Sequence, residues 1–212
     1  MSKLNDLINK LCPEGVEFKP LGEIATIIRG PFGSSLKKEC FVDNGYVVYE
    51  QQHAIYSELL FRYYIDSEKF KELKRFEVRP DDLIVSCSGT IGKVMIIPEN
   101  APQGIINQAL LKLTPNKNIT SKFLKYCFEN TVSTILNDKA HGGAIKNVPS
   151  VSELKQIKIP APPLEVQREI VRILDEYSEK NEELIKSLYK EIELRKKQYE
   201  YYRDKLLTFD NC

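Results

Sequence analysis

Apolar residues fall into two regimes along this chain. Up to about residue 160 they come in short, often β-branched runs cut by glycine and proline; beyond it they recur at helical spacing without a break. Ser2 to Leu11 carries Leu4, Leu7, Ile8 and Leu11 on one stripe, which predicts a short helix with Ser2 as its N-cap, ended by Pro13-Glu14-Gly15. Val16 to Pro20 reads as extended and Leu21 to Ile28 as a strand, followed by a loop, Arg29-Gly30-Pro31-Phe32-Gly33-Ser34-Ser35. Tyr46 to Tyr49 predicts a buried strand with Gln51, Gln52 and His53 at its end, and Ser67 to Arg75 has helical character. Leu83 to Ser86 and Val94 to Ile97 predict strands around the glycine-bearing Ser86 to Lys93 segment. Ile105-Ile106 and Ala109 to Leu113 predict a further strand or pair on either side of Asn107-Gln108. Thr120 to Asn137 predicts a helix, Asp138 to Asn147 a polar loop, Val151 to Leu154 a turn, and Ile157 to Ile159 a last strand. The absence of regular strand–helix alternation points to an α+β domain with a mixed or antiparallel sheet.

Pro163 to Phe209 contains no glycine and no internal proline, and most of its residues are good helix formers. A continuous helix of these 47 residues would run about 70 Å. That is longer than a domain of this size is wide, so the helix is expected to project and to need a partner for its apolar stripe. Ile170, Leu174, Tyr177, Asn181, Leu184, Leu188, Ile192, Arg195, Tyr199, Tyr202, Leu206 and Phe209 form the stripe. Their steps alternate between four and three, with one extra four-step near Leu188–Ile192, a stutter. Packing on its own domain would leave too much of the stripe uncovered, so the expectation is a coiled coil with another chain.

Charge adds a direction. Glu165 to Glu193 holds 9 acidic and 5 basic residues, and Leu194 to Phe209 holds 5 basic and 2 acidic. An antiparallel pair sets the acidic half of each helix beside the basic half of the other, whereas a parallel pair stacks like on like. Homodimerisation by an antiparallel coiled coil is therefore the expected arrangement.

Composition narrows the class. At 212 residues, 42% hydrophobic and 29% charged, the chain accommodates one compact domain plus an appendage. It shows neither a membrane-spanning run nor a signal-peptide core, and its five scattered cysteines lack CxxC spacing, so a cytoplasmic protein with reduced thiols and no membrane association is expected. The net charge of +1 becomes a mild excess of +3 for the residues before Pro163, which permits a basic patch without establishing one.

Catalytic patterns do not fit. Gly89-Thr90-Ile91-Gly92-Lys93 lacks the earlier glycine and the following Ser/Thr of a phosphate loop. Ser86, Ser88 and Thr90 are not in a G-x-S-x-G elbow. Pro80-Asp81 with the distant Glu153-Leu154-Lys155 matches a nuclease triad no better than chance, His and Cys show no metal-ligand spacing, and methyltransferase motifs are absent. No catalytic residue and no metal ligand is assigned.

The Pro-Pro-Leu-Glu-x-Gln-x-x-Ile-Val entry at 162–171 and the Arg-Lys-x-Gln-Tyr-x-x-Tyr-Arg-x-x-Leu-Leu exit at 195–207 resemble the helical spacer of the specificity subunit of type I restriction–modification systems. KLCPEGVEFKPLGEIATI resembles the start of such subunits, and SGTIGKV and NQALLKL match their target-recognition domains more loosely. The resemblance covers essentially the whole chain. It implies a mixed-sheet target-recognition domain over 1–159, a proline-rich linker at 160–163, a spacer and dimerisation helix over 164–209 and a tail at 210–212.

It further implies a non-catalytic DNA-recognition subunit partnered by double-stranded DNA, methyltransferase subunits and a translocase–endonuclease subunit. S-adenosylmethionine, ATP and Mg2+ are expected on those partners and no cofactor in this chain. The family's usual member carries two recognition domains and two spacer helices, whereas this sequence has one of each. An antiparallel homodimer would rebuild the full arrangement and read a palindromic bipartite site, directing adenine methylation and cleavage by the partner subunits. The alternative is a truncated, non-directing oligomerisation or regulatory fragment that pairs with a full-length specificity subunit.

Base readout calls for polar side chains on loops that reach a groove. The residues expected to contact DNA are Arg29, Ser34, Ser35, Lys37 and Lys38; Gln51, Gln52 and His53; Ser88, Thr90 and Lys93; and Lys139, His141, Lys146 and Asn147. Each would otherwise be an ordinary solvated loop residue.

Overall fold

The computed structural model describes residues 2–87, 90–139 and 150–208. The chain divides into two units, Met1–Arg168 and Glu169–Cys212. In chain order the elements are α1 (Ser2–Leu11), β1 (Phe18–Pro20), α2 (Leu21–Ile24), β2 (Ala25–Arg29), β3 (Phe41–Val42), β4 (Tyr46–Tyr49), α3 (Gln51–Tyr56), β5 (Tyr64–Ile65), α4 (Ser67–Glu72), β6 (Leu83–Ser86), β7 (Val94–Ile96), β8 (Gly104–Ile106), β9 (Leu110–Pro115), α5 (Ser121–Lys139), α6 (Val151–Gln156), β10 (Lys158–Pro160) and α7 (Leu164–Leu207).

Two four-stranded sheets build the first unit. One, in the order β2-β9-β6-β7, is antiparallel throughout. The other, β3-β5-β4-β8, is mixed, because β4 and β8 run parallel. A separate pair joins β1 to β10. The fold is α+β with mixed sheets and a long C-terminal helix, as the sequence pattern predicts.

Alternation along β4 and β8 explains how the second sheet serves two cores. Val47, Tyr49 and Ile106 join Ala54 of α3, Ile84, Met95 and Leu110 in one cluster. Val48 and Ile105, on the opposite pleat, join Leu36, Ile65, Phe70 and Leu73 in another. β6 is buried at all four positions, which accounts for its uninterrupted apolar run.

Three elements differ from the expectation. Leu21 to Ile28 is not one strand. Leu21 and Ile24, both buried at helical spacing, form the single turn α2, and the in–out alternation of a strand begins only at Ala25. Gln51 to His53 open a helix rather than end a strand. Val151 to Leu154 are helical, within α6, whose N-cap Ser150 accepts from the Glu153 N–H while Glu153 accepts from the Ser150 N–H, a reciprocal capping box.

The prolines before α7 are held in place. Pro160 pairs with Phe18, and the Ala161 N–H donates to Glu17 O at 2.8 Å. In the first turn of α7, Gln167 is fully buried. Its amide nitrogen donates to Asn118 O at 2.9 Å and Pro162 O at 2.8 Å, and its amide oxygen accepts from the Thr120 N–H at 2.9 Å. One side chain thus ties the entry of α7 to the loop before α5, and the glutamine of the Pro-Pro-Leu-Glu-x-Gln motif has a structural reason to be there.

Beyond Arg168, α7 continues through Leu207 with intrahelical ion pairs Arg172–Glu169, Arg172–Glu176, Lys180–Glu176 and Arg195–Glu191 on its surface. No helix among the described residues is long and apolar enough to cross a membrane.

Candidate functional site

Four loop segments meet at one end of the two sheets, and the Asn107–Ala109 connection is what joins them. The Asn107 N–H donates to Tyr49 O, the last residue of β4, at 2.9 Å. The Asn107 side-chain oxygen accepts from the Ala109 N–H at 3.0 Å and closes the turn. Ala109 O accepts from the Cys87 N–H at 2.9 Å, and Leu110 O accepts from the Gly30 N–H at 2.9 Å. The ends of β2, β4, β6 and β8 and the start of β9 are thereby laced together.

Arg29, exposed at the end of β2, pairs with Leu111 and lies close enough to Cys87 to act on its thiol electrostatically. Burial pushes the Cys87 thiol up to about 11, and the nearby Arg29 charge pulls the other way. A Cβ on Gly30 would lie 1.8 Å from Asn107 O, so this close backbone approach requires glycine. Pro31 is buried, Phe32 is 89% exposed, and the Ser35 N–H donates to Phe32 O at 2.9 Å around a 3-10 turn, Gly33–Ser35. Ser34 is exposed and Ser35 half-buried.

The Ser86–Lys93 segment is pinned by Ser86. Its hydroxyl donates to Thr90 O at 2.6 Å and accepts from the Lys93 N–H at 3.0 Å, while Gly92, at φ +80°, donates to Ser86 O at 2.9 Å. Thr90 and Lys93 are exposed on this turn.

At the start of α3, Gln51 and Gln52 are half-buried, and the Gln52 amide donates to Leu60 O at 3.3 Å. His53 does not reach the surface: it is 1% exposed. Its Nδ1 accepts from the Glu50 N–H at 2.7 Å, which leaves Nε2 to donate to Leu60 O at 3.0 Å. Its ring stacks on Phe61 with centroids 4.7 Å apart. Both nitrogens are committed to backbone, so His53 shapes the 50–60 segment and is withdrawn from the DNA-contacting set. Arg62 makes a two-pronged pair with Glu50, at 2.8 and 3.1 Å, beside it.

The structure thus brings Arg29, Ser34 and Ser35 together with Gln51, Gln52, Thr90 and Lys93. Lys37 and Lys38 are exposed but lead toward β3, whose first residue sits opposite Ile65; Ile65 in turn faces Tyr46, at the other end of β4. Lys139 closes α5, and Ser88, His141, Lys146 and Asn147 lie outside the described residues. Sequence reasoning passed over Gln108, which is exposed on the connecting turn. Its signal was present, a polar Asn-Gln pair between two apolar runs. Among the described residues no group of three His, Cys, Asp or Glu side chains is placed to hold a metal ion.

The stripe of α7 is solvent-facing from Leu174 on. Ile170 is half-buried, while Leu174, Tyr177, Asn181, Leu184, Leu188, Ile192, Arg195, Tyr199, Tyr202 and Leu206 are exposed. Arg195 donates to Glu191 at 2.8 Å and to Gln198 at 3.2 Å on its own helix.

The family model described as the type I restriction modification DNA specificity domain matches residues 13–194. The chain belongs to this family. Among curated relatives, the EcoR124I/EcoR124II specificity subunit of Escherichia coli is 32% identical over 198 residues, which cover 92% of this chain and 48% of that protein. The EcoprrI specificity subunit, also of Escherichia coli, is 29% identical over 220 residues, covering 99% and 54%. Of solved structures, a chain from a type I restriction–modification assembly superposes with TM-score 0.69 at 19% identity, covering 96% of this chain and 52% of that one. The specificity subunit from Thermoanaerobacter tengcongensis gives 0.60 at 20% identity, covering 84% and 43%. The chain spans about half the length of these relatives. At these identities the structural matches establish the fold, and the family match carries membership in the specificity family.

Proposed function

We propose that this chain is the DNA-reading component of a type I restriction–modification complex, with no chemistry of its own, and that the laced loop end of the first unit is its DNA-facing surface. The observation that carries this reading is the convergence of Arg29, Thr90, Lys93 and the Gln51–Gln52 turn at one sheet end in a chain of the DNA specificity family. Arg and Lys there suit phosphate contacts and bidentate guanine contacts, and the amides of Gln51 and Gln52 suit adenine edges. Lys37, Lys38, Ser34 and Ser35 extend the same surface toward the flank, and Ser88, Lys139, His141, Lys146 and Asn147 remain proposed contacts. Methylation and cleavage belong to partner subunits, which carry S-adenosylmethionine, ATP and Mg2+. Two copies pair antiparallel through the exposed seam of α7, supported by its charge halves, and read a bipartite palindromic site.

The test combines this chain with its cognate methyltransferase subunit and maps modified adenines by sequencing. Methylation at one gapped, two-fold-symmetric sequence only when the chain is present is the expected result. The R29A/T90A/K93A variant should lose or relax that sequence. Modification at the same sites without the chain, or an unchanged sequence with the triple variant, overturns the reading.

A further inference from the structure

Among the described residues of the first unit, Phe32 is the most exposed large apolar residue, at 89%. Its exposure is not that of a loosely held loop tip. Gly30 is pressed against the Asn107–Gln108 peptide, where a Cβ would meet Asn107 O at 1.8 Å and the Gln108 nitrogen at 3.1 Å. Pro31 is buried directly before it, and Leu36 is buried after it in the core with Val48, Ile65 and Ile105. The Ser35 N–H holds the Phe32 carbonyl at 2.9 Å across the intervening turn. Both flanks are anchored, and the ring is presented to solvent.

Its surroundings decide the kind of partner. Arg29, Thr90, Lys93 and Gln108 are exposed on the segments laced to the same sheet end. An apolar protein partner would want an apolar surface, and the exposed groups on the segments laced to this sheet end are cations and hydrogen-bonding groups. An anchored aromatic ring on the same loop end as exposed cationic and hydrogen-bonding groups matches a nucleic-acid duplex, which offers phosphates to the cations and base faces to the ring.

We propose that Phe32 is an aromatic wedge that inserts against base faces at one step of the bound duplex, unstacking it locally, while Arg29, Lys93 and Gln108 hold the backbone and base edges around it. This rests on the DNA-reading role proposed above. It assigns to Phe32 a specificity through deformability: base steps that unstack easily, such as pyrimidine–purine steps, are favoured at the point of insertion even where no polar side chain reads them.

The chain contains no tryptophan, so Phe32→Trp introduces a single reporter at a fully exposed position where the fold is not at stake. The full-length F32W chain is titrated with a duplex enriched by the unaltered chain from a random pool. Binding is followed independently by anisotropy of a dye on the DNA. The expected result is strong quenching of tryptophan emission that saturates with the anisotropy, protection from acrylamide, and increased emission of 2-aminopurine placed at one step of the site. Phe32→Ala should bind the duplex and lose the 2-aminopurine signal. DNA binding with emission unquenched and still open to acrylamide overturns the wedge while leaving the DNA-reading role intact. So does shielding from acrylamide without quenching, the mark of a groove contact to a thymine methyl. Failure of the unaltered chain to enrich or bind any duplex overturns the DNA-reading role, and the wedge with it.

Discussion

At the scale of single residues, buried polar groups fix the shape of the first unit, and each has its partners. Lys112 lies on β9 in the middle of an apolar run. Its ammonium donates to Glu77 O and sits 3.8 Å from Asp82. Burial pulls its pKa below the ordinary lysine value, with Asp82 opposing that shift. Asp82 also accepts from Thr114 Oγ1 at 2.5 Å and from the Arg79 N–H at 2.9 Å, so an aspartate that reads in sequence as a turn residue orders the 79–82 turn. Glu77 shows the same logic and gives a test. Burial opposes its charge, yet bonds from Gln103 at 2.6 Å and Lys74 at 2.9 Å, with Arg79 nearby, hold its pKa below the ordinary value of 4.5. The depressed value means that its stabilisation is complete above about pH 4.5 and is lost as pH falls through the lower, folded-state value. Glu77→Gln should therefore destabilise the protein at neutral pH by about 1–3 kcal/mol. In urea melts the gap between variant and parent should narrow as pH falls below about 4.5; a gap independent of pH would contradict the assignment.

At the scale of elements, the loops of this sheet end are joined to one another through their backbones. Gly30 N–H to Leu110 O, Asn107 N–H to Tyr49 O and Cys87 N–H to Ala109 O join the four loop segments and two sheets. Gly30→Ala places a methyl 1.8 Å from Asn107 O. An overpacked contact of this kind costs about 1–3 kcal/mol, and its effect should concentrate locally. Faster amide exchange is expected at Gly30, Cys87 and Asn107, together with weakened DNA binding, while the slow-exchanging amides of β6 stay protected. Uniform loss of protection across both sheets would show that the contact supports the whole unit and not the loop end. The helices obey a different rule. α7 needs no tertiary contact along Tyr177 to Leu206 to be legible, because its uninterrupted helix formers and i, i+4 pairs favour the helix locally.

At the scale of the whole molecule, α7 exposes Leu174, Leu184, Leu188, Ile192 and Leu206 along one seam, far more apolar surface than an isolated helix keeps in water. The proposed antiparallel pairing would bring the acidic Glu165–Glu193 half against the basic Leu194–Phe209 half. Opposite charges attract less as salt screens them, so self-association measured by sedimentation should weaken between about 0.05 and 0.5 M salt. A parallel pair, like on like, would tighten over the same range. Ile192→Asp should abolish association in either case without loss of helicity, because Ile192 is exposed on this chain.

What the sequence determined by itself is what local physics dictates. The strands β4 and β6 follow from their apolar, partly β-branched runs and β9 from its leucine-rich run, α1 and α5 from periodicity, and α7 from composition and heptad spacing; the family follows from motifs in that same helix. Where local signals conflict, tertiary structure decided. Leu21 to Ile24 continue the apolar run of Ala25 to Ile28 but carry Gly22 and Glu23, weak strand formers, and with Leu21 and Ile24 buried on one side they wind into a turn. His53 has the sequence context of a polar loop residue and is instead a core strut, because only the packed Tyr49–Phe61 pair and the Glu50 and Leu60 backbones make its burial favourable. The segment carrying Arg29 and Phe32 meets those carrying Gln108 and Lys93 only on folding. No spacing in the chain encodes that meeting, since it comes from sheet register and from hydrogen bonds between segments up to 80 residues apart, as between Gly30 and Leu110.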